Sequence, residues 1–497
     1  MPSLSRRGLI RGTAGLATVL AAGGVAACSI GSGGSADPSL VGPRSPLVGA
    51  AERARRVPGR SVVTARLTPQ PITVDLGART VETWAYGDQV PGPLLRATAG
   101  DLLQVSVANG LPSETSVHWH GVALRNDMDG VPHLTQAPIP EGGTFDYQFV
   151  APDPGTYFYH PHTGLQLDRG LYGVLVVDDP AEPGRYDDEW VVVLDDWVDG
   201  TGRTPDDVFA ELTAGGGSMG GMHMGGMGGS MGSPLLGGAG DVRYPYYLVN
   251  GRTPDAPYRF TGRPGHRVRI RFVNAGTDTA FRVAVGGHRM TVTHGDGFPV
   301  VPVSTDALLV GMGERVDVVV TLGDGVFPLV ASAEGKSGAG LALVRTGGGS
   351  PPATGAPVRE LRRRVLLGTD LVGDPDATLP VRDVVRRHDV VLGGSMVSYR
   401  WTLNGRTYPD TARLPVREGD RVRLRFLNQT MMFHPMHLHG HTFGLVTGGA
   451  RKDTVVVRPM QAVEVDLDAD NPGQWALHCH NALHAEAGMM TALSYRT

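Results

Sequence analysis

Three stretches of this 497-residue chain repeat one pattern: "AGDLLQVSVAN" (residues 99–109), "PGHRVRIRFVN" (264–274) and "EGDRVRLRFLN" (418–428). Each carries a glycine, then a run in which apolar and polar residues alternate, then a closing asparagine. That predicts a strand with one buried face. The second and third copies are also preceded by "VNG" and "LNG", with Asn250 and Asn404 each 24 residues before the closing asparagine. A period of about 155 to 165 residues is the size of a β-sandwich, not of a solenoid unit. The chain is therefore expected to be all-β, with three similar domains at 62–180, 185–345 and 365–497. Its 71 glycines and 37 prolines supply the turns that many short strands need.

Residues 1–28 stand outside that fold. Arg6 and Arg7 precede the apolar run "LATVLAAGGVAA", too short for a stop-transfer helix, which reads as a twin-arginine export signal. The run ends in "VAAC", which resembles a lipoprotein processing box with Cys28 as the acylated residue; the alternative is an ordinary cleaved signal. A tether is expected over 29–61, with the protein on the outer side of the cytoplasmic membrane. The net charge of -4 gives no reason to expect nucleic acid or an anionic membrane surface as partner. Membrane contact is expected through the anchor alone, and the chain is expected to be monomeric. With Cys28 acylated or removed, Cys479 has no disulfide partner, which leaves metal binding or catalysis.

Seventeen histidines placed at random would give about one His-x-His spacing; this chain has five, in "HWH" (His118, His120), "HPH" (His160, His162), "HLH" and "HGH" (His437, His439, His441) and "HCH" (His478, His480). Residues two apart on a strand face the same side, so each pair can present two imidazoles to one point. The pairs lie in the first and third repeats only, so a site that uses them all must sit where those domains meet. In "HCH" the same alternation turns Cys479 away from His478 and His480, joining two centres through adjacent residues. A thiolate, two imidazoles and a weak thioether form a blue copper ligand set, which Cys479, His434, His484 and Met489 would supply. The other eight histidines suffice for three coppers.

In order, "HWHG", "HPH", "HPMHLHG" and "HCHNALHAEAGM" resemble the four copper motifs of the multicopper oxidases. The resemblance implies three cupredoxin-like Greek-key sandwiches and four one-electron oxidations coupled to reduction of O2 to water. It implies four copper ions: type 1 at His434, Cys479 and His484 with Met489 axial, type 2 at His118 and His437, and two type 3 ions. His120, His160 and His480 would hold one type 3 copper, and His162, His439 and His478 the other. Asp129, in "RNDMDGVP", resembles the carboxylate that delivers protons near the type 2 copper, although an Asp-Gly pair also makes a turn by itself. Metal-oxidising relatives carry a glutamate directly after the last type 1 histidine. Here that place is Ala485; Glu486, one residue later, is the remaining candidate for this catalytic role, although strand alternation argues against a simple replacement.

"SMGGMHMGGMGGSMGS" (218–233) adds Met219, Met222, Met224, Met227 and Met231 on a glycine background that no helix would tolerate. Thioethers favour Cu(I), and similar segments mark cuprous oxidases of copper tolerance; the bland reading is a flexible linker. Met431 and Met432, just before His434, offer a second route for Cu(I). The acid that accompanies such methionines in enteric relatives is missing, with Thr430 near its place. Three functions follow: a cuprous oxidase with phenols or Fe(II) as side substrates, a general laccase or ferroxidase with a methionine lid, and a non-enzymatic copper-binding or structural protein.

Overall fold

The computed structural model describes residues 39–497 except 78, 183 and 216–231. The described chain is built from β-strands in several sheets, and none of its helices is long and apolar enough to cross a membrane. The repeated stretches form Leu102–Ala108, Arg267–Asn274 and Arg421–Asn428. The last two run through the middle of six-stranded sheets whose partners follow in the same order. In each, the central strand pairs in parallel with Asp188–Trp197 or Arg386–Ser395, and antiparallel with Arg315–Thr321 or Ala462–Asp468. Val268, Ile270 and Phe272, like Val422, Leu424 and Phe426, are fully buried as alternation demands, but in the middle copy the other face is buried too, with Arg269 and Arg271 paired to Asp317. Each of the apolar side chains contributes about 1.5–3 kcal/mol by leaving water.

The closing asparagine has a mechanical role that explains its recurrence. Its Oδ1 accepts from the backbone N–H two residues on, at 2.9 Å in all three copies (Leu111, Gly276, Thr430). Its Nδ2 donates across the sandwich to Ile139, Val310 or Val457 carbonyl oxygen. An Asx turn thus locks the strand end to the opposite sheet. Asn250 and Asn404 are likewise matched: both are left-handed, at φ 48° and 50°, and their Oδ1 atoms accept from Val193 and Val391 N–H at 2.7 Å.

Two expectations change. The tether over 29–61 does not extend through the described part of that range, because α1 (Pro46–Arg55) packs there on the first sandwich. Ser45 caps it, Pro46 opens it, and buried Glu52 accepts from Val150 N–H at 2.9 Å. Leu40 bridges to Arg496 at the other end of the chain. Residues 365–367, expected to open the third domain, instead add a parallel edge strand to the middle sandwich against Ala307–Leu309. The other helices are α2 (Pro205–Ala214), before the methionine segment, and α3 (Ala482–Glu486), between the last two strands.

Candidate metal centres

His434 opens the strand His434–Leu438, Cys479 ends the strand Gln474–Cys479, and His484 sits on α3. Asn481 caps α3, its Oδ1 accepting from Leu483 and His484 N–H, which fixes where His484 projects. The three side chains are fully buried and converge: the two Nδ1 atoms lie 3.1 Å apart, and Cys479 Sγ lies 3.7 and 3.6 Å from them. The outer nitrogens are held elsewhere, His434 Nε2 by Thr430 Oγ1 and His484 Nε2 by Asp241 Oδ2, each at 2.8 Å. Since Thr430 Oγ1 donates to Asn428, it accepts from His434, leaving the Nδ1 lone pair facing the sulfur. Buried Met489 lies alongside, its carbonyl accepting from Cys479 N–H at 3.1 Å. A cysteine sulfur and two imidazoles so grouped form a donor set that suits copper.

The other eight histidines come together where the first and third sandwiches meet, related by an approximate two-fold exchange. His118 lies opposite His160 in one sheet, as His437 lies opposite His478 in the other. The exchange also matches His120 with His439 and His162 with His480. His162, His439 and His478 converge on one another, their Nε2 atoms 2.9 Å (His439 to His478) and 3.3 Å (His162 to His478) apart. His120, His160 and His480 form the matching group, with ring centroids 4.8 to 5.8 Å apart. His118 and His437 lie between, 5.7 Å apart.

Whether these residues suit metal is decided at their ring nitrogens. The outer edges are bonded: His118 Nδ1 donates to Asp129 carbonyl (2.8 Å), His160 Nδ1 to Pro161 carbonyl (2.8 Å), His437 Nδ1 to Asp453 carbonyl (3.0 Å) and His478 Nδ1 to Cys479 carbonyl (2.8 Å). The opposite nitrogens, His118 Nε2, His120 Nδ1, His160 Nε2, His437 Nε2 and both of His480, are buried without a partner. Orphaned nitrogens cost free energy unless something binds them, so the donor set fits cations. Burial and mutual repulsion also hold His160, His162, His439 and His480 well below the usual histidine range, keeping them neutral as ligands must be. His120, His437 and Asp453 also cluster, but on edges already filled by Thr454 and Arg315. The fifth spacing is structural: His441 Nε2 meets Tyr495 Oη at 2.7 Å.

Asp129 occupies the expected turn and also touches the histidine cluster. It closes a 3-10 turn before Gly130, and its buried Oδ2 accepts from His439 Nδ1 at 3.0 Å, with Oδ1 3.2 Å from His118 Nδ1. Glu486 lines a cavity of about 330 Å³ together with His160, His162, His478 and His480. The alternation argument about it fails because 482–486 is helical, so Ala485 and Glu486 border the same cavity. Glu486 is exposed overall, yet the protein around the carboxyl raises its pKa, with Asp206 adding to the effect. Met431 is 71% exposed and Met432 half-buried beside the core. Met219, Met222, Met224, Met227, Met231 and Cys28 lie outside the described residues.

Three residues were missed. Asp241, from the middle domain, accepts from His484 Nε2 rather than standing near Thr430; it belongs to no motif and had no sequence signal. Asp453 bonds His120 Nε2 at 3.1 Å and pairs with Arg315 at 2.6 Å, all buried. Burial alone would raise the Asp453 carboxyl, but Arg315 outweighs it and, with His120 and His437, holds it well below the usual range. Matching "HLHG…KDT" to "HWHG…MDG" would have exposed Asp453 as the counterpart of Asp129.

Multicopper oxidase family models match residues 68–182, 188–349 and 384–497. The chain is 53% identical over 458 residues to the multicopper oxidase MmcO of Mycobacterium tuberculosis, covering 90% of each. It is 29% identical to a copper resistance protein A homolog of Pseudomonas syringae pv. tomato, covering 84% of this chain and 89% of the relative. Among solved structures, a laccase from Botrytis aclada superposes with a TM-score of 0.72 at 25% identity, covering 88% of each. The three sandwiches are therefore cupredoxin-like domains, and the chain belongs to the multicopper oxidases, oxidoreductases that pass electrons to oxygen.

Proposed function

We propose that the chain is a cuprous oxidase of the cell envelope that protects against copper. It takes one electron at a time from Cu(I) at the His434–Cys479–His484 site; four such oxidations, with one O2 and four protons, give two waters at the histidine cluster. Fe(II) and phenols are side substrates. Bound copper would supply the one-electron chemistry, as one type 1 ion held with Met489, one type 2 ion between His118 and His437, and two type 3 ions in the two histidine triads. The chain's own residues do the rest. Cys479 is covalently joined to His478 and His480, and His478 Nδ1 donates back to the Cys479 carbonyl, so backbone and hydrogen bond bridge the two centres. Asp129 holds a proton position at His439 Nδ1, and Glu486 stands at the cavity beside the same cluster.

The observation that carries the copper reading is where the methionine segment leaves and rejoins the described chain. Before it, Phe209 of α2 lies 6.2 Å from the ring of Tyr399, whose hydroxyl donates to Asp241. After it, a Cβ at Gly238 would lie 3.7 Å from Met432 Sδ, and Asp241 bonds His484. The described flanks approach the Cys479 site, Asp241 directly and Phe209 through Tyr399, and thioethers favour Cu(I). Relatives named for copper resistance support the same reading. The arginine pair, the apolar run and Cys28 support export in the folded state and a lipid anchor at Cys28.

The test is kcat/KM for Cu(I), Fe(II) and a phenol in the parent and in a variant with Met219, Met222, Met224, Met227 and Met231 changed to serine. Cuprous oxidation should fall several-fold while phenol oxidation holds or rises. Equal falls would make the segment structural and favour a general laccase or ferroxidase.

A further inference from the structure

The middle sandwich gives no histidine to the cluster, yet one of its turns reaches it. Gly313 is left-handed at φ +81°, and a Cβ there would meet His480 Cγ at 2.8 Å and His120 Cε1 at 3.0 Å, so only glycine lets this turn approach. Two residues on, the buried Arg315 guanidinium grips both oxygens of Asp453, Nη1 to Oδ1 at 2.7 Å and Nη2 to Oδ2 at 2.6 Å. Two further donors go to the Thr156 and Gly313 carbonyls.

Asp453 and Asp129 are counterparts under the two-fold exchange. Each backbone carbonyl accepts from the first histidine of its own domain, His437 or His118. Each carboxylate reaches across to the second histidine of the other domain: Asp129 to His439, Asp453 to His120. The symmetry breaks at one point. Asp129 takes Nδ1 of its histidine, leaving Nε2 towards the cluster, whereas Asp453 takes Nε2 of His120, leaving Nδ1 orphaned and inward. Among the described residues Arg315 forms an ion pair with Asp453, and the ion pairs of Asp129 are with histidines alone.

We infer that Asp453, pinned by Arg315 of the middle domain, is a positioning residue that selects Nδ1 of His120 as the inward-facing nitrogen. This is how a domain without ligands shapes the cluster. A carboxylate bonded to the outer nitrogen of a ligand histidine fixes both tautomer and ring direction, and the two-pronged guanidinium fixes the carboxylate. The alternative, that Asp453 itself binds metal, is disfavoured because both its oxygens already accept from Arg315.

The inference rests on the copper reading above, and its test separates the two. Copper-loaded Asp453→Ala, Asp453→Asn and Arg315→Lys are compared with the parent by copper per chain, by competition with a graded chelator and by the blue band. Asp453→Ala should weaken cluster copper by about 10- to 100-fold and leave the blue band unchanged. Asp453→Asn, which keeps an oxygen for His120 Nε2–H, should recover part of the loss. Arg315→Lys, which keeps charge but not the fork, should fall between the parent and Asp453→Ala, and it carries the test alone if the alanine variant does not fold. Parental chelator resistance in the folded variants would overturn the inference, as would parallel loss of the blue band, which marks a merely structural residue. Failure of the parent to load cluster copper would instead overturn the copper reading.

Discussion

The middle and third sandwiches share a frame and differ in what fills it. Asn274 Nδ2 reaches the carbonyls of Thr279 and Val310, and Asn428 Nδ2 those of Met432 and Val457. From those anchors the registers run in step. Phe281 lies opposite Val310 as His434 lies opposite Val457, and Ala331 lies opposite Val283 as Cys479 lies opposite Met436. Gly340, opposite Ala331, stands where Met489 stands beside Cys479. One domain therefore fills the position with phenylalanine, alanine and glycine, and the other with histidine, cysteine and methionine. The frame asks only for buried groups of suitable volume, so the ligand set is laid over a fold whose stability comes from the shared strands.

The largest effect should come from Cys479→Ser. Blue colour and oxidase activity should vanish, while unfolding free energy moves by no more than about 2 kcal/mol, because the middle domain holds the same position with alanine. Absorption spectra and denaturant melts check both halves; a surviving blue band would remove Cys479 from the copper site, and an unfolded variant would break the comparison.

Asp129→Asn acts outside both frames, at the junction of the outer domains. Reoxidation of the fully reduced enzyme by O2 should slow by about 10²- to 10⁴-fold with the blue site spectroscopically intact. An unchanged rate would return Asp129 to its turn.

The comparison sharpens at Asp241, a middle-domain side chain bonded to the third-domain imidazole of His484. In the metal-free chain burial pulls His484 down, but the Asp241 carboxylate outweighs it and carries the imidazole up to about 10. A folded pKa raised above the ordinary value of about 6.5 gives stability fully present below that value and lost as pH rises through about 10. Asp241→Asn should therefore destabilise metal-free protein by about 3 kcal/mol at pH 6 and by much less above pH 10. Melts at the two pH values read the difference, and a pH-independent loss would show that the pair is not ionic.

The smallest effect is the converse graft. Ala331→Cys places a thiol where the middle frame matches Cys479, but beside Phe281 and Gly340. It should add no blue absorbance and no copper, at about 1–3 kcal/mol of overpacking. A new blue band would mean that the frame alone makes the site.

The repeat was legible because alternation and the closing asparagine are local signals, and the copper-type residues because their spacing is set by strand geometry. What escaped depends on tertiary placement. Residues 39–61 look like linker by composition, yet α1 is held by Glu52 on a distant strand. Strand 365–367 is too short to announce which sandwich it joins. Asp241 and Arg315 act on domains to which they do not belong, and no window of sequence brings Arg315 near Asp453. Glu486 was misread because a period of two was carried one turn past the end of its strand into α3.

The central claim is that copper lies in one place in the third frame and in the cluster between the outer domains, with none in the middle frame. Anomalous diffraction at the copper edge from crystals of the loaded enzyme tests it directly. About four peaks are expected, one among His434, Cys479 and His484 and the rest against the inward nitrogens of the eight histidines. A peak beside Phe281 and Ala331, or one coordinated by Asp453, would contradict the account.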